Sequence, residues 1–137
     1  MLGVQEILDL QALVRRVPVS DLCVDYALAL VRATRGPDAG GPDYTSRWIA
    51  WGAGPRAGQA LILGAKARAA LGGRTSVTID DIRAVAPPVL RHRVLTTYAA
   101  QADGQTPDTI ITRLLDEVPL REGAAAVDGQ VAQVFRS

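Results

Sequence analysis

The chain has 137 residues, enough for one domain, and its 48% hydrophobic content is enough to bury a core. Fifteen basic residues stand against fourteen acidic ones with no sustained run of either sign, which argues against a nucleic-acid footprint and against a binding face for anionic membranes. A single cysteine, Cys23, excludes an internal disulfide framework and any multi-cysteine metal site, and reads as a small core residue on a helix.

Aromatic residues make up only 4% of the chain, and Ala, Leu and Val supply most of its apolar atoms. That composition favours packed helices over a sandwich or barrel. The expected fold class is all-α, a small helical bundle with at most one very short strand pair. No apolar run reaches the ~18 residues of a membrane span, and the N-terminus lacks a charged region followed by a signal-peptide core. The chain therefore reads as soluble and cytoplasmic, without a nucleic-acid or membrane partner. Met1-Leu2-Gly3 followed at once by a helical pattern suggests a piece of something longer.

In chain order, Val4, Ile7, Leu8, Leu10 and Val14 recur at helical spacing until Pro18 ends the pattern. Ser20 then caps a second helix. Its Asp21 and Asp25 suit the positive N-terminal end, and Arg32 and Arg35 suit the negative C-terminal end. Leu22, Tyr26, Ala29, Leu30 and Ala33 form one face, widened by Val24, Leu28 and Val31, so this helix is expected at the centre. Residues 36–46, rich in Gly, Pro and Asp, read as an exposed loop.

Tyr44 to Trp51 is long enough for a helical turn only, and its two tryptophans, Trp48 and Trp51, read as core anchors in preference to partner contacts. A long helix is predicted from Pro55 to about Leu71, stopping at Gly72-Gly73. Arg74 to Val77 reads either as a very short strand or as an extended link. Thr78-Ile79-Asp80-Asp81 opens the next helix with a cap-like arrangement, and Pro87-Pro88 should break it. His92 to Tyr98 carries enough β-branched and aromatic character for a small strand. Thr106-Pro107-Asp108 starts a last helix whose apolar face is Ile110, Ile111, Leu114 and Leu115. Residues 121–137 are Ala, Gly and polar residues, expected to be a disordered tail behind a folded unit over 1–120.

Several chemistries have no motif in the chain. Gly64-Ala65-Lys66 is no phosphate loop, because it lies inside a helical pattern and Ala67 follows it. Neither G-x-G-x-x-G, G-x-S-x-G nor H-E-x-x-H occurs. His92 is the sole histidine and reads as a surface or satisfied side chain. Asp80 and Asp81 are adjacent, so they do not face each other on a helix and read as cap and first-turn acids.

One residue is out of place. Gly54 and Pro55 are suited to start a helix, which puts Arg56 in its first turn. The terminus already carries roughly half a positive charge, so a cation there loses about 0.3–1 kcal/mol unless an anion compensates. A phosphate would compensate through both the guanidinium and the first-turn N–H groups. An acid from the preceding loop, Asp38 or Asp43, is the plainer partner.

Four segments then occur in one order: Ile7-Leu8-Asp9-Leu10-Gln11, Val17-Pro18-Val19-Ser20, Trp51-Gly52-Ala53-Gly54-Pro55-Arg56-Ala57 and Val89-Leu90-Arg91-His92-Arg93-Val94-Leu95. Together they resemble the C-terminal lid of MoxR-type AAA+ ATPases across residues 4 to 120. The resemblance implies a helical lid over a nucleotide held by a separate α/β core, with Arg56 as the sensor-2 arginine that reaches the terminal phosphate. It further implies ATP and Mg2+ for the full-length protein, a ring of subunits, expected to be hexameric, and a chaperone-like role in maturing or activating partners, often in company with von Willebrand factor A domain proteins. The family's phosphate loop, metal-binding strand and arginine finger belong to that core, so neither catalysis nor tight ATP binding is expected of the 137 residues alone. Arg91 and Arg93 are open between core, neighbouring subunit and surface ion pairs. Two readings stand beside the lid: a stand-alone helical interaction module using the tryptophan segment, and a weaker winged-helix-like DNA binder.

Overall fold

The structure, a computed structural model, describes residues 1–120. It contains α1 (Val4–Arg15), α2 (Asp21–Ala33), α3 (Tyr44–Trp48), β1 (Ile49–Trp51), α4 (Pro55–Leu71), α5 (Ile79–Leu90), β2 (Leu95–Thr96), α6 (Tyr98–Ala102) and α7 (Pro107–Glu117). The expected all-α bundle with one minimal strand pair is what forms. The expectation for 121–137 lies outside the described residues.

The sequence signals act where their physics says they should. Ser20 accepts the Cys23 N–H at 3.3 Å and starts α2, which buries Cys23, Val24, Tyr26, Ala27, Leu30 and Val31 as the central helix. Thr106 accepts the Thr109 N–H at 3.2 Å and starts α7. This last helix joins two cores. Ile111 and Leu115 pack with α2, α4 and α5, while Ile110 and Leu114 pack with Ala33, Ile49, Val94 and Ala100 in a smaller cluster. Residues one position apart on α7 thus serve different neighbours, because both clusters meet along its wide apolar face.

Two local expectations are corrected. Pro87 and Pro88 do not break α5, which continues to Leu90. A proline lacks its own donor but still accepts, so the Arg91 N–H closes onto the Pro87 carbonyl at 3.0 Å. Ala86 and Leu90, both buried, hold the prolines' turn in the core. The second correction concerns the tryptophan segment. Its helix ends at Trp48, and Ile49–Trp51 extends as β1 to pair antiparallel with β2, Ile49 opposite Thr96 and Trp51 opposite Leu95. Trp51 is therefore no core anchor: it is 72% exposed beside Leu95 and Tyr98, which are exposed as well. Trp48 is half-buried, its ring tilted 42° against Tyr44 with centroids 5.1 Å apart, and the Arg113 guanidinium covers the Tyr44 ring at 4.1 Å. Burial, then the charge of Glu117, pushes the Tyr44 hydroxyl above its ordinary range.

The Arg74–Val77 segment forms no strand and is a link that bends at Thr75 and Ser76, with the Val77 N–H donating to the Pro18 carbonyl at 3.1 Å. Cys23 is buried, its Sγ on the Val77 carbonyl at 3.7 Å, and His92 is exposed. The first helix is the exception to burial. No residue of α1 is buried, and Val4, Ile7, Leu8, Leu10 and Leu13 are all exposed. Lys66 of α4 ties it down by donating to the Arg15 carbonyl at 3.1 Å, a cation on the negative end of the α1 dipole.

Candidate functional site

The segment before α4 is gripped by the end of α2. Gly52 runs so close to the Thr34 carbonyl that a Cβ there would sit 2.4 Å from its oxygen, so only glycine fits. The next peptide is held from two sides: the Ala53 N–H donates to Thr34 Oγ1 at 2.9 Å, and Arg35 Nε donates to the Ala53 carbonyl at 2.9 Å. Ala53 and Ala57 are fully buried against the core that α2 contributes to. The start of α4 is thereby located before any cap acts.

The cap itself is bare. Gly54 is the N-cap in extended conformation and supplies no side chain, and Pro55 at the first helical position has no N–H. The Ala57 N–H turns back onto the Gly54 carbonyl at 3.0 Å. Arg56, in this first turn, is exposed, and its side chain has neither a hydrogen bond nor an ion pair among the described residues. Asp38 and Asp43 do not reach it. Arg15 and Arg16, at the end of α1, are likewise exposed without a side-chain partner among the described residues, whereas Arg47, Arg68, Arg74, Arg83, Arg91 and Arg113 each pair with a carboxylate.

One of those pairs bears on a question the sequence left open, and another shows more than the sequence did. Arg91 reaches Asp108 of α7 at 3.1 Å, and Arg93 donates to the Val89 carbonyl at 2.7 Å, so both are engaged within the chain. Asp81, read as a first-turn acid, does more than cap. It accepts from the Thr78 N–H at 2.9 Å and gathers Arg68 and Arg74 at 2.6 Å each. The Arg74 guanidinium first, with Thr78 and Arg68, holds its carboxyl far below the usual carboxylate range against the opposing effect of burial.

Arg56 lies on the α4 stripe Arg56, Ala60, Leu63, Ala67, spaced at helical repeats, and Leu63 is exposed on it. Arg56 offers a delocalised cation with five donors, suited to an anion with several oxygens. No group of three His, Cys, Asp or Glu side chains converges among the described residues, so they offer a magnesium ion no ligand set. No helix among them is long and apolar enough to cross a membrane. Thr34 and Arg35 are the site residues that the sequence did not reveal. Their partner is 18 or 19 positions away, and no local pattern marks a threonine at a helix end as one that grips a distant loop.

A helical bundle of this order, with a minimal strand pair and an unpaired arginine at the start of its longest helix, defines a class. The chain belongs to the AAA lid domain family, which matches residues 44–114, just over half of it. It is a lid of the MoxR type: over 120 residues it is 38% identical to Chaperone MoxR1 of Mycobacterium tuberculosis, an alignment covering 88% of this chain and 32% of that protein. A crystal structure from Cytophaga hutchinsonii, whose protein carries a provisional ATPase assignment, superposes with a TM-score of 0.80 at 32% identity. That match covers 86% of this chain and 36% of the other. The chain thus spans about a third of the length of these two relatives.

Proposed function

We propose that residues 1–120 form the lid of a MoxR-type ATPase, packed over ATP held by a core domain of the same polypeptide, with Arg56 reaching the terminal phosphate as the sensor-2 residue. The observation that carries this reading is the bare, Gly54-capped first turn of α4 bearing an exposed arginine that no acid among the described residues neutralises. A terminal phosphate supplies the missing charge, accepting from the guanidinium and from the first-turn backbone. The magnesium that accompanies ATP belongs to the core, since the lid brings no carboxylates together for it.

Arg56 prefers the closed arrangement only while the terminal phosphate is present. Hydrolysis removes that difference in affinity, so the angle between core and lid changes with each cycle. The exposed apolar side chains of α1, and Leu63 on the Arg56 face of α4, suit burial against that core. In this reading the assembled protein is a cytoplasmic, hexameric ring that acts as a chaperone in maturing or activating partners, in company with a von Willebrand factor A domain protein. A second reading rests on Trp51, Leu95 and Tyr98, which lie exposed around the strand pair and suit a protein-interaction module without nucleotide chemistry.

The test is ATP hydrolysis by the chain joined to its upstream sequence, with Arg56→Ala beside it and the 137 residues alone as control. Turnover by the joined protein, a several-fold loss in the variant and a silent control support the lid reading. Absence of hydrolysis in every extended form would leave the interaction module.

A further inference from the structure

We propose that Thr34 is a positioning residue for Arg56: by holding the Ala53 amide, it aims the first turn of α4 at the phosphate and ties that turn to α2. This rests on the reading that Arg56 engages phosphate. The Thr34 hydroxyl is used in both directions, donating to the Val31 carbonyl at 2.6 Å and accepting the Ala53 N–H at 2.9 Å. A hydroxyl so engaged has one rotamer open to it. Threonine at a helix end commonly bonds back to its own helix, and that accounts for the first contact only. The second reaches 19 positions along the chain to a residue that is fully buried, three positions before Arg56.

The neighbouring contacts converge on the same peptide. Arg35 takes the Ala53 carbonyl, and Gly52 lets the backbone lie against the Thr34 carbonyl. Among the described residues the Arg56 side chain has no partner, so none of them orients its tip. Its direction is inherited from the backbone at Ala53, and that backbone is set by Thr34 and Arg35. Loss of the hydroxyl leaves the Ala53 N–H buried without an acceptor, and the turn shifts to find one.

The experiment measures kcat and KM for ATP in the full-length protein carrying Thr34→Val, Thr34→Ser, Arg35→Met, Arg56→Ala and the Thr34→Val/Arg56→Ala pair. Thr34→Val is expected to lower kcat about tenfold, in line with the cost of a small misplacement of a reacting group. Thr34→Ser restores it, and Arg35→Met, at an exposed position, lowers kcat less. The loss caused by Thr34→Val should vanish in the Arg56→Ala background, because the two act through one contact. An equal loss in that background overturns the proposal, since a general defect of folding would behave that way. Wild-type turnover by Thr34→Val beside a slowed Arg56→Ala overturns it too, while leaving the Arg56 reading intact. If Arg56→Ala itself is not slowed, both fall. Should Thr34→Val fail to fold, Arg35→Met decides by the same criterion: a loss that Arg56→Ala abolishes supports the proposal, and an unaltered kcat defeats it.

Discussion

The starts of α4 and α5 set the same electrostatic problem and solve it in opposite ways. Each helix begins with roughly half a positive charge on its unpaired N–H groups. At α5 the chain brings its own anion: Asp81, fully buried, takes the Thr78 N–H and two guanidinium groups, Arg68 and Arg74. At α4 it brings a glycine, a proline and another cation, and no acid. Charge satisfied inside the molecule stabilises it, whereas charge left open recognises something outside it. The comparison therefore separates two arginines that hold the start of α5 from one that stays open at the start of α4.

The largest effect is expected at the closed end. Asp81→Ala leaves two guanidinium groups without their carboxylate and removes a cap, and should lower stability by about 3 kcal/mol in urea unfolding. The pH dependence has a definite sign. A carboxylate held below its ordinary range in the folded state adds stability that is complete above its unfolded pKa of about 3.9 and is lost progressively below it. The stability gap between wild type and Asp81→Asn should accordingly be flat near neutrality and shrink as pH falls below about 4. A gap that instead widens in acid would remove Asp81 from the centre of that network.

At the open end the effect moves from stability to activity. Arg56→Ala should slow hydrolysis by the core-joined protein about tenfold, or ~1.4 kcal/mol, while leaving the lid's melting temperature unchanged or slightly raised. Gly54→Asp sharpens the contrast by giving α4 the anion that α5 already has. An acidic cap is worth only a few tenths of a kcal/mol over glycine, so stability should rise slightly, yet turnover should fall because Arg56 gains an internal partner. A rise in both quantities would argue that Arg56 meets no phosphate.

Much of the fold was legible because its signals are local. Ser20, Thr78 and Thr106 cap helices within three residues of themselves, Pro55 and Gly72 bracket α4, and the apolar spacing of α7 names its four buried side chains. What was illegible depends on distant partners. Trp51 is exposed because β2 claims its segment as a strand, and Pro87-Pro88 stays helical because Ala86 and Leu90 are held in the core. Arg56 stood out in the sequence as a charge in the wrong place, but Thr34 and Arg35, which hold the turn beneath it, gave no such sign. Their contacts to Ala53 appear only when α2 and α4 are brought together.

The central claim is that the arginine at the open terminus, and not its counterparts at the closed one, senses nucleotide. Steady-state ATP hydrolysis by the core-joined protein, comparing Arg56→Ala with Arg68→Ala, tests it most directly. The account predicts a loss of about tenfold for Arg56→Ala, with Arg68→Ala turning over like wild type despite a lower melting temperature. Equal losses in the two variants, or full activity without Arg56, would contradict it.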